Sequence, residues 1–281
     1  MPDNLADLRR ELAHAYRIVA NEGILDAFGH ISVRNPNNPQ RYFLSRSRAP
    51  GLVEAADILE YDLDSNPIVP PTTRPYSERV IHGEIFKARP DVNAVCHHHA
   101  PSILPFAISG VPLQPVFHLG AAMGPYAPFW DSRDEFGDTN LLVVKPEEGA
   151  SLARALGPHA IVLMRRHGAT VVGGDLRELV FRIIYSSKNA EHQLAAAMLG
   201  HVSPLTEGEA RLAGGLNLAP GPVARAYEFW VRRLAEREGR GKSDAAVRAA
   251  EAAARQPNPG AAQAKTGGAA KKAKKPKGKK R

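Results

Sequence analysis

The chain has 281 residues, 43% of them hydrophobic, and a formal net charge of +8. Nine basic and no acidic residues fall between Gln256 and Arg281, which leaves 28 basic and 29 acidic side chains in the body. The positive charge therefore belongs to an appendage and says nothing about what the body binds, while a lone cysteine, Cys96, excludes an internal disulfide framework.

Leu5, Leu8, Leu12, Tyr16 and Val19 recur at spacings of three and four, which predicts an amphipathic opening helix ended by Gly23 and Gly29. That opening carries Asp and Arg where a secretory signal needs an apolar run. No window approaches the roughly 18–20 apolar residues of a membrane span. A cytoplasmic protein without membrane contact is expected. Short β-rich runs follow at Ile31–Arg34, Arg41–Ser45 and Ile58–Asp62, the last closing on a turn at Asp64–Pro67.

A helix over Ser77–Ala88 leads into an apolar strand, Asp91–His99, that ends in three histidines. Strands are expected at 114–118, 140–145, 160–165 and 169–173, and helices near 147–156, 175–199 and 222–238. The aperiodic stretch Pro125–Asn140 reads as a long loop, of the kind that often carries function. These elements give an α/β class with a mixed, largely antiparallel sheet covered by helices. Two segments result: a catalytic body over 1–240 and an Ala/Gly/Lys-rich basic tail over 241–281. The tail is expected to stay solvated and to touch polyanions weakly, with salt dependence.

Side chains alternate faces along a strand, so His97 and His99 project together while Cys96 and His98 project oppositely. Two imidazoles at i, i+2 at a strand's end can chelate one divalent cation. His167, which follows the apolar run Ile161–Met164 and precedes Gly168, offers a third donor. Three histidines with an open position form the pattern of a catalytic site. His98 and Cys96, facing away, read as packed residues.

These segments resemble the class II aldolase/adducin family. Its Ser-Glu…His helix is similar to Tyr76-Ser77-Glu78 with His82. Its His-x-His strand is similar to Val95–His99, its later His-Gly to His167-Gly168, and its early Gly-Asn-x-Ser strand to Gly29-His30-Ile31-Ser32. The resemblance spans roughly Leu5 to Trp230. It implies a three-layer α/β/α sandwich, His97, His99 and His167 as metal ligands, and Glu78 as the catalytic acid/base or a fourth ligand. It further implies one divalent ion per subunit (Zn2+ or Mn2+, with Fe2+ or Co2+ as alternatives) and a cyclic homotetramer with sites between subunits. His82, one turn after Glu78, either supports it or simply packs.

Departures from the family's phosphate-binding segments bear on substrate. Gly29-His30, Ser47-Arg48 and Tyr76-Ser77 stand where sugar-phosphate aldolases carry Gly-Asn, Thr-Gly and Ser-Ser. Arg48 fills space a phosphate would need, and Arg46 and Arg48 at i, i+2 can face one way and grip carboxylates. This pattern is similar to the branch that decarboxylates hydroxylated aromatic dicarboxylates, such as dihydroxyphthalates or hydroxy-methylpyridine dicarboxylates. The expectation is a metal-dependent decarboxylase of aromatic-compound degradation. Arg46, Ser47, Arg48, Tyr76 and Ser77 would bind the carboxylated aromatic substrate, and Glu78 or His30 would deliver a proton. Phe117, His118, Phe129 and Trp130 are candidates for lining an aromatic pocket. The alternatives are an aldolase or epimerase acting on a sugar acid or hydroxyacid, and a non-catalytic adducin-like interaction module.

Overall fold

The computed structural model describes residues 5–239. The basic tail expected over 241–281 lies outside the described residues. The opening helix α1 (Leu5–Asn21) buries Leu12, Tyr16 and Val19 of the stripe that its spacing predicts, packs Leu5 and Leu8 half-buried against the same core, and buries Ile18 as well. Three strands follow, β1 (His30–Arg34), β2 (Arg41–Ser45) and β3 (Ile58–Asp62), joined as an antiparallel meander. Helix α2 (Val80–Ala88) precedes β4 (Ala94–His98), and a short helix α3 (Leu104–Ser109) follows it. The remainder comprises β5 (Phe129–Trp130), α4 (Arg133–Phe136), α5 (Pro146–Leu156), β6 (Ile161–Met164), β7 (Gly168–Gly173), α6 (Leu176–Leu199), α7 (Glu207–Asn217) and α8 (Pro220–Arg237).

The seven strands form one sheet in the order β3-β2-β1-β4-β7-β6-β5. Every pairing is antiparallel except β5 with β6, so the sheet is mixed and largely antiparallel as the element pattern predicts. Period-two alternation divides its side chains between two apolar layers. Ile31, Val33, Phe43, Cys96, Leu163 and Val171 pack against α1, α6 and α8. Tyr42, Leu44, Val95, Val162, Met164 and Val172 pack against α2 and α5. Helices thus cover both faces, which is the three-layer sandwich.

Two expected strands are absent, for one physical reason. In 114–118 the amides of Gln114 and Val116 are satisfied by side chains of α6 rather than by a neighbouring strand. Asn189 Oδ1 accepts from Val116 N at 2.8 Å, Asn189 Nδ2 donates to Gln114 O at 2.7 Å, and Gln193 Oε1 accepts from Gln114 N at 2.9 Å. In 140–145, Glu148 Oε2 takes the amides of Val144 and Lys145, and Leu141 sits in the left-handed region at φ 68°. These bonds take the amides of Gln114, Val116, Val144 and Lys145 away from any ladder. The expected long loop over Pro125–Asn140 holds both the short strand β5 and the helical turn α4. Helices α3 and α7 were not expected.

Among the described residues, no helix is long and apolar enough to cross a membrane.

Candidate metal and acid–base site

Three adjacent strands set the site by register. His30 on β1 stands opposite His97 on β4, which stands opposite Thr170 on β7. All three lie on the α2/α5 face, where alternation also places Val95, so the row follows from strand parity and pairing. His98, on the other parity, is fully buried, and its Nδ1 accepts from Ala100 N at 3.2 Å. Burial and the neighbouring His99 push its pKa down to about 3.

Two glycines permit the close packing around this row. At Gly29, φ is +91°, and a Cβ would meet the His97 carbonyl oxygen at 2.9 Å and Leu25 Cδ2 at 2.5 Å. At Gly168 a Cβ would meet the His98 carbonyl oxygen at 2.2 Å and His99 Cδ2 at 3.0 Å. The glycines next to His30 and His167 are therefore steric requirements of strands pressed together. Ahead of Gly168, Arg166 adopts φ 56° in the β6–β7 turn, and its amide donates to Ala107 O at 2.9 Å, which sets the direction from which His167 enters.

The structure brings His97, His99 and His167 together, with one nitrogen of each within 4.8 Å of the others. The Nε2 atoms of His97 and His99 lie 2.9 Å apart, and Thr170 Oγ1 lies 3.4 Å from His97 Nδ1. Burial, then the neighbouring imidazoles, holds His97 well below the ordinary histidine range and His99 below it as well. Burial lowers His167 too, against an opposing pull from Glu78. Three imidazoles, each held below the ordinary histidine range and with one nitrogen of each gathered within 4.8 Å, are a donor set suited to a divalent cation.

Glu78 completes the cluster. The expected helix over Ser77–Ala88 is broken at its start into a 3-10 turn, Ser77–Arg79, where Glu78 takes φ −88°, ψ 20°. This is the bridge region common at active sites, and it turns the carboxylate out of the helical path. Its Oε2 lies 3.9 Å from both His97 Nε2 and His30 Nε2, and its Oε1 lies 3.7 Å from His167 Nε2. Oε1 also accepts the Val143 amide at 3.0 Å. Burial by itself would raise the Glu78 pKa; the adjoining His30 and His167 rings and the Val143 N–H outweigh it, and the carboxyl is held below its ordinary value.

The expected substrate residues occupy one flank. Tyr76 packs on His30 with ring centroids 4.8 Å apart, and its hydroxyl donates to the Arg48 carbonyl. Arg46 and Arg48 do face one way. The carboxylate they meet is the chain's own Asp57, which accepts from Arg46 Nε at 2.7 Å and from Arg48 Nη1 at 2.6 Å. Both arginine side chains remain about 30% exposed, at 31% and 29%. Ser47 and Ser77 are exposed. The aromatic candidates are engaged elsewhere: Phe117 packs edge-on against His192, and Trp130 is buried with its Nε1 donating to Ser151 Oγ at 2.9 Å. His118 accepts a hydrogen bond from Asn217 at its backbone carbonyl, and Phe129 is exposed.

Several contributors carried no sequence signal. Val143 supplies a backbone amide from a segment expected to be a strand, Asp57 sits in an unremarkable Ala-Ala-Asp turn, and Thr170 becomes visible only through register. His82 reaches His30 rather than Glu78, with His82 Nε2 2.6 Å from His30 Nδ1.

Residues 10–194 match the Class II Aldolase and Adducin N-terminal domain. The chain is 34% identical over 239 residues to decarboxylase tropJ of Talaromyces stipitatus, covering 77% of this chain and 90% of that one. It is 32% identical over 189 residues to 3,4-dihydroxyphthalate decarboxylase of Arthrobacter keyseri, covering 64% and 74%. Among solved structures, an aldolase II superfamily protein from Pseudomonas syringae superposes with a TM-score of 0.70 at 21% identity, covering 86% of this chain and 96% of that one. L-fuculose 1-phosphate aldolase from Glaciozyma antarctica superposes with a TM-score of 0.68 at 25% identity, covering 83% and 90%.

Proposed function

Because the chain belongs to the class II aldolase and adducin N-terminal domain family, we propose that it is a divalent-metal-dependent lyase that decarboxylates a hydroxylated aromatic dicarboxylate, of the dihydroxyphthalate or hydroxypyridine-dicarboxylate type. The observation that carries this reading is the placement of Glu78, whose carboxylate oxygens lie 3.7–3.9 Å from His167, His97 and His30. A buried acid–base group beside three convergent imidazoles is the equipment for releasing charge onto carbon and then protonating it.

His97, His99 and His167 would hold the ion, Zn2+ or Mn2+, with Fe2+ or Co2+ as further candidates. Bound there, the ion supplies Lewis-acid stabilisation of the negative charge that remains when CO2 departs. The chain's own groups do the rest. Arg46 and Arg48, already aligned by Asp57, present guanidinium donors to a substrate carboxylate. Tyr76, packed on His30, replaces a small hydroxyl with a ring face that an aromatic substrate can use and a sugar phosphate cannot. Glu78 or His30 returns the proton to the ring carbon.

A homotetramer with sites between subunits belongs to the same reading. Exposed Phe28, Leu141, Leu142 and Val144 border the segments that carry His30 and Val143, where a second subunit would cover them. A cytoplasmic setting fits the buried free thiol of Cys96.

The deciding assay incubates the zinc- or manganese-loaded protein with 3,4-dihydroxyphthalate and follows CO2. Release of CO2 supports the decarboxylase. Its absence, together with pyruvate or glycolaldehyde release from hydroxyacids, establishes the aldolase alternative instead.

A further inference from the structure

His30 and His82 are not among the converging donors, and they form a chain of their own. His30 Nδ1 lies 2.6 Å from His82 Nε2, and His82 Nδ1 lies 2.6 Å from Ser32 Oγ. All three residues are buried. Ser32 stands two residues after His30 on β1, hence on the same face, and α2 lays the His82 ring across both. That ring is backed by Tyr42, which stacks on it at 6.3 Å and 21° and stacks in turn on Tyr61 at 5.3 Å and 16°. The Tyr42 hydroxyl is fixed by Ser65 Oγ at 2.9 Å.

Two imidazoles that meet nitrogen to nitrogen must present one N–H and one lone pair. The direction is set at the far end, where His30 Nε2 faces Glu78 Oε2 at 3.9 Å. An ionised carboxylate only accepts, so an N–H pointing at it is favoured and a lone pair would be repelled. A neutral His30 ring carrying its one proton on Nε2 accepts at Nδ1. His82 must donate from Nε2, which leaves its Nδ1 to accept from the Ser32 hydroxyl, the one member able to serve as donor or acceptor. Burial and the neighbouring His30 keep His82 well below the ordinary range, consistent with a neutral ring holding a single proton.

We propose that Ser32 and His82 are positioning residues that lock His30 in its Nε2–H tautomer and aim that proton into the site. The chain orients and does not conduct. Shifting each proton one step toward Glu78 would leave an alkoxide on Ser32, so a proton spent by His30 must be replaced from the side of the site itself. The tautomer stands independently of the substrate; the kinetic consequence rests on the decarboxylase reading above.

Neutron diffraction from crystals of the full chain reads the tautomer directly. Deuterium is expected on Nε2 of both His30 and His82, and on Ser32 Oγ directed at His82 Nδ1. Deuterium on His30 Nδ1 overturns the proposal. The kinetic arm compares His82→Leu, which removes the donor, with His82→Gln, whose amide can still donate to His30 Nδ1. With 3,4-dihydroxyphthalate as probe, His82→Leu should lower kcat about 10- to 100-fold at unchanged KM, and His82→Gln should recover most of that loss. Equal losses in both variants, or a loss confined to KM, overturn the positioning role. If the unsubstituted chain releases no CO2 from this probe, the substrate assignment falls while the neutron result still decides the tautomer.

Discussion

The Val143 amide donates to Glu78 Oε1 at 3.0 Å, leaving the other oxygen, Oε2, directed at His30 and His97. One oxygen is thereby tied to the fold and the other is left facing the two imidazoles. A Glu78→Gln variant keeps an acceptor for Val143 and loses the exchangeable proton. Turnover should fall about 10²- to 10⁴-fold, the usual share of a general acid–base group. Bound metal, measured by elemental analysis, should stay near one per chain. A variant that turns over normally would remove Glu78 from the mechanism.

Loss of metal should act on stability as well as on rate, because three imidazoles, His97 buried and His99 and His167 half-buried, converge where the cation would sit. Dialysis against a chelator should abolish activity and lower the melting temperature, and Zn2+ or Mn2+ should restore both. At a free metal concentration a hundredfold above Kd the linkage is worth about 2.7 kcal/mol. The His97→Ala variant should show no metal-dependent shift in calorimetry. Metal retained by that variant would contradict the assignment of His97 as a ligand.

The strand that ends in histidines could be read from local pattern, because alternation alone separates His97 and His99 from Cys96 and His98. The cross-strand row could not, since it depends on register between β1, β4 and β7. The two overpredicted strands fail for the same reason: what claims their amides is Asn189, Gln193 and Glu148, residues whose proximity is tertiary or lies beyond the run itself. Helix α7 does carry a local signal, the capping box between Thr206 and Glu209. The break at Glu78 is different again. Its residues favour a helix, and the carboxylate's contacts with Val143 and the imidazoles hold it out of one.

Asp57 predicts a pH dependence of stability. Burial would raise its pKa, but the Glu54 amide and the guanidinia of Arg46 and Arg48 outweigh that and depress it below 3.8. A carboxyl depressed in the folded state stabilises fully above its unfolded value, and the contribution fades as pH falls through the folded value. Urea titrations of the parent chain and an Asp57→Asn variant, run from pH 6 down to pH 3, should show a stability difference that is constant at the upper end and shrinks below about pH 4. A difference that stays flat across the range would show that the ionised carboxylate contributes nothing.

The tightest steric demand in the site is at Gly168, where an added Cβ would come within 2.2 Å of the His98 carbonyl oxygen. Backbone cannot give way as a side-chain tip can, so β7 must move away from β4 at the point where His99 and His167 meet. A Gly168→Ala substitution should therefore cost about 1–3 kcal/mol in urea denaturation, in line with overpacking elsewhere. It should also weaken metal binding, because the two rings, stacked at 5.1 Å, are set by that strand spacing. Glycines with open surroundings provide the control: Gly215 has no atom within 4 Å of a built Cβ, and Gly215→Ala on α7 should leave metal affinity unchanged. Equal metal affinity in the Gly168→Ala chain would mean that the ligands are placed by their loops and not by the spacing of β4 and β7.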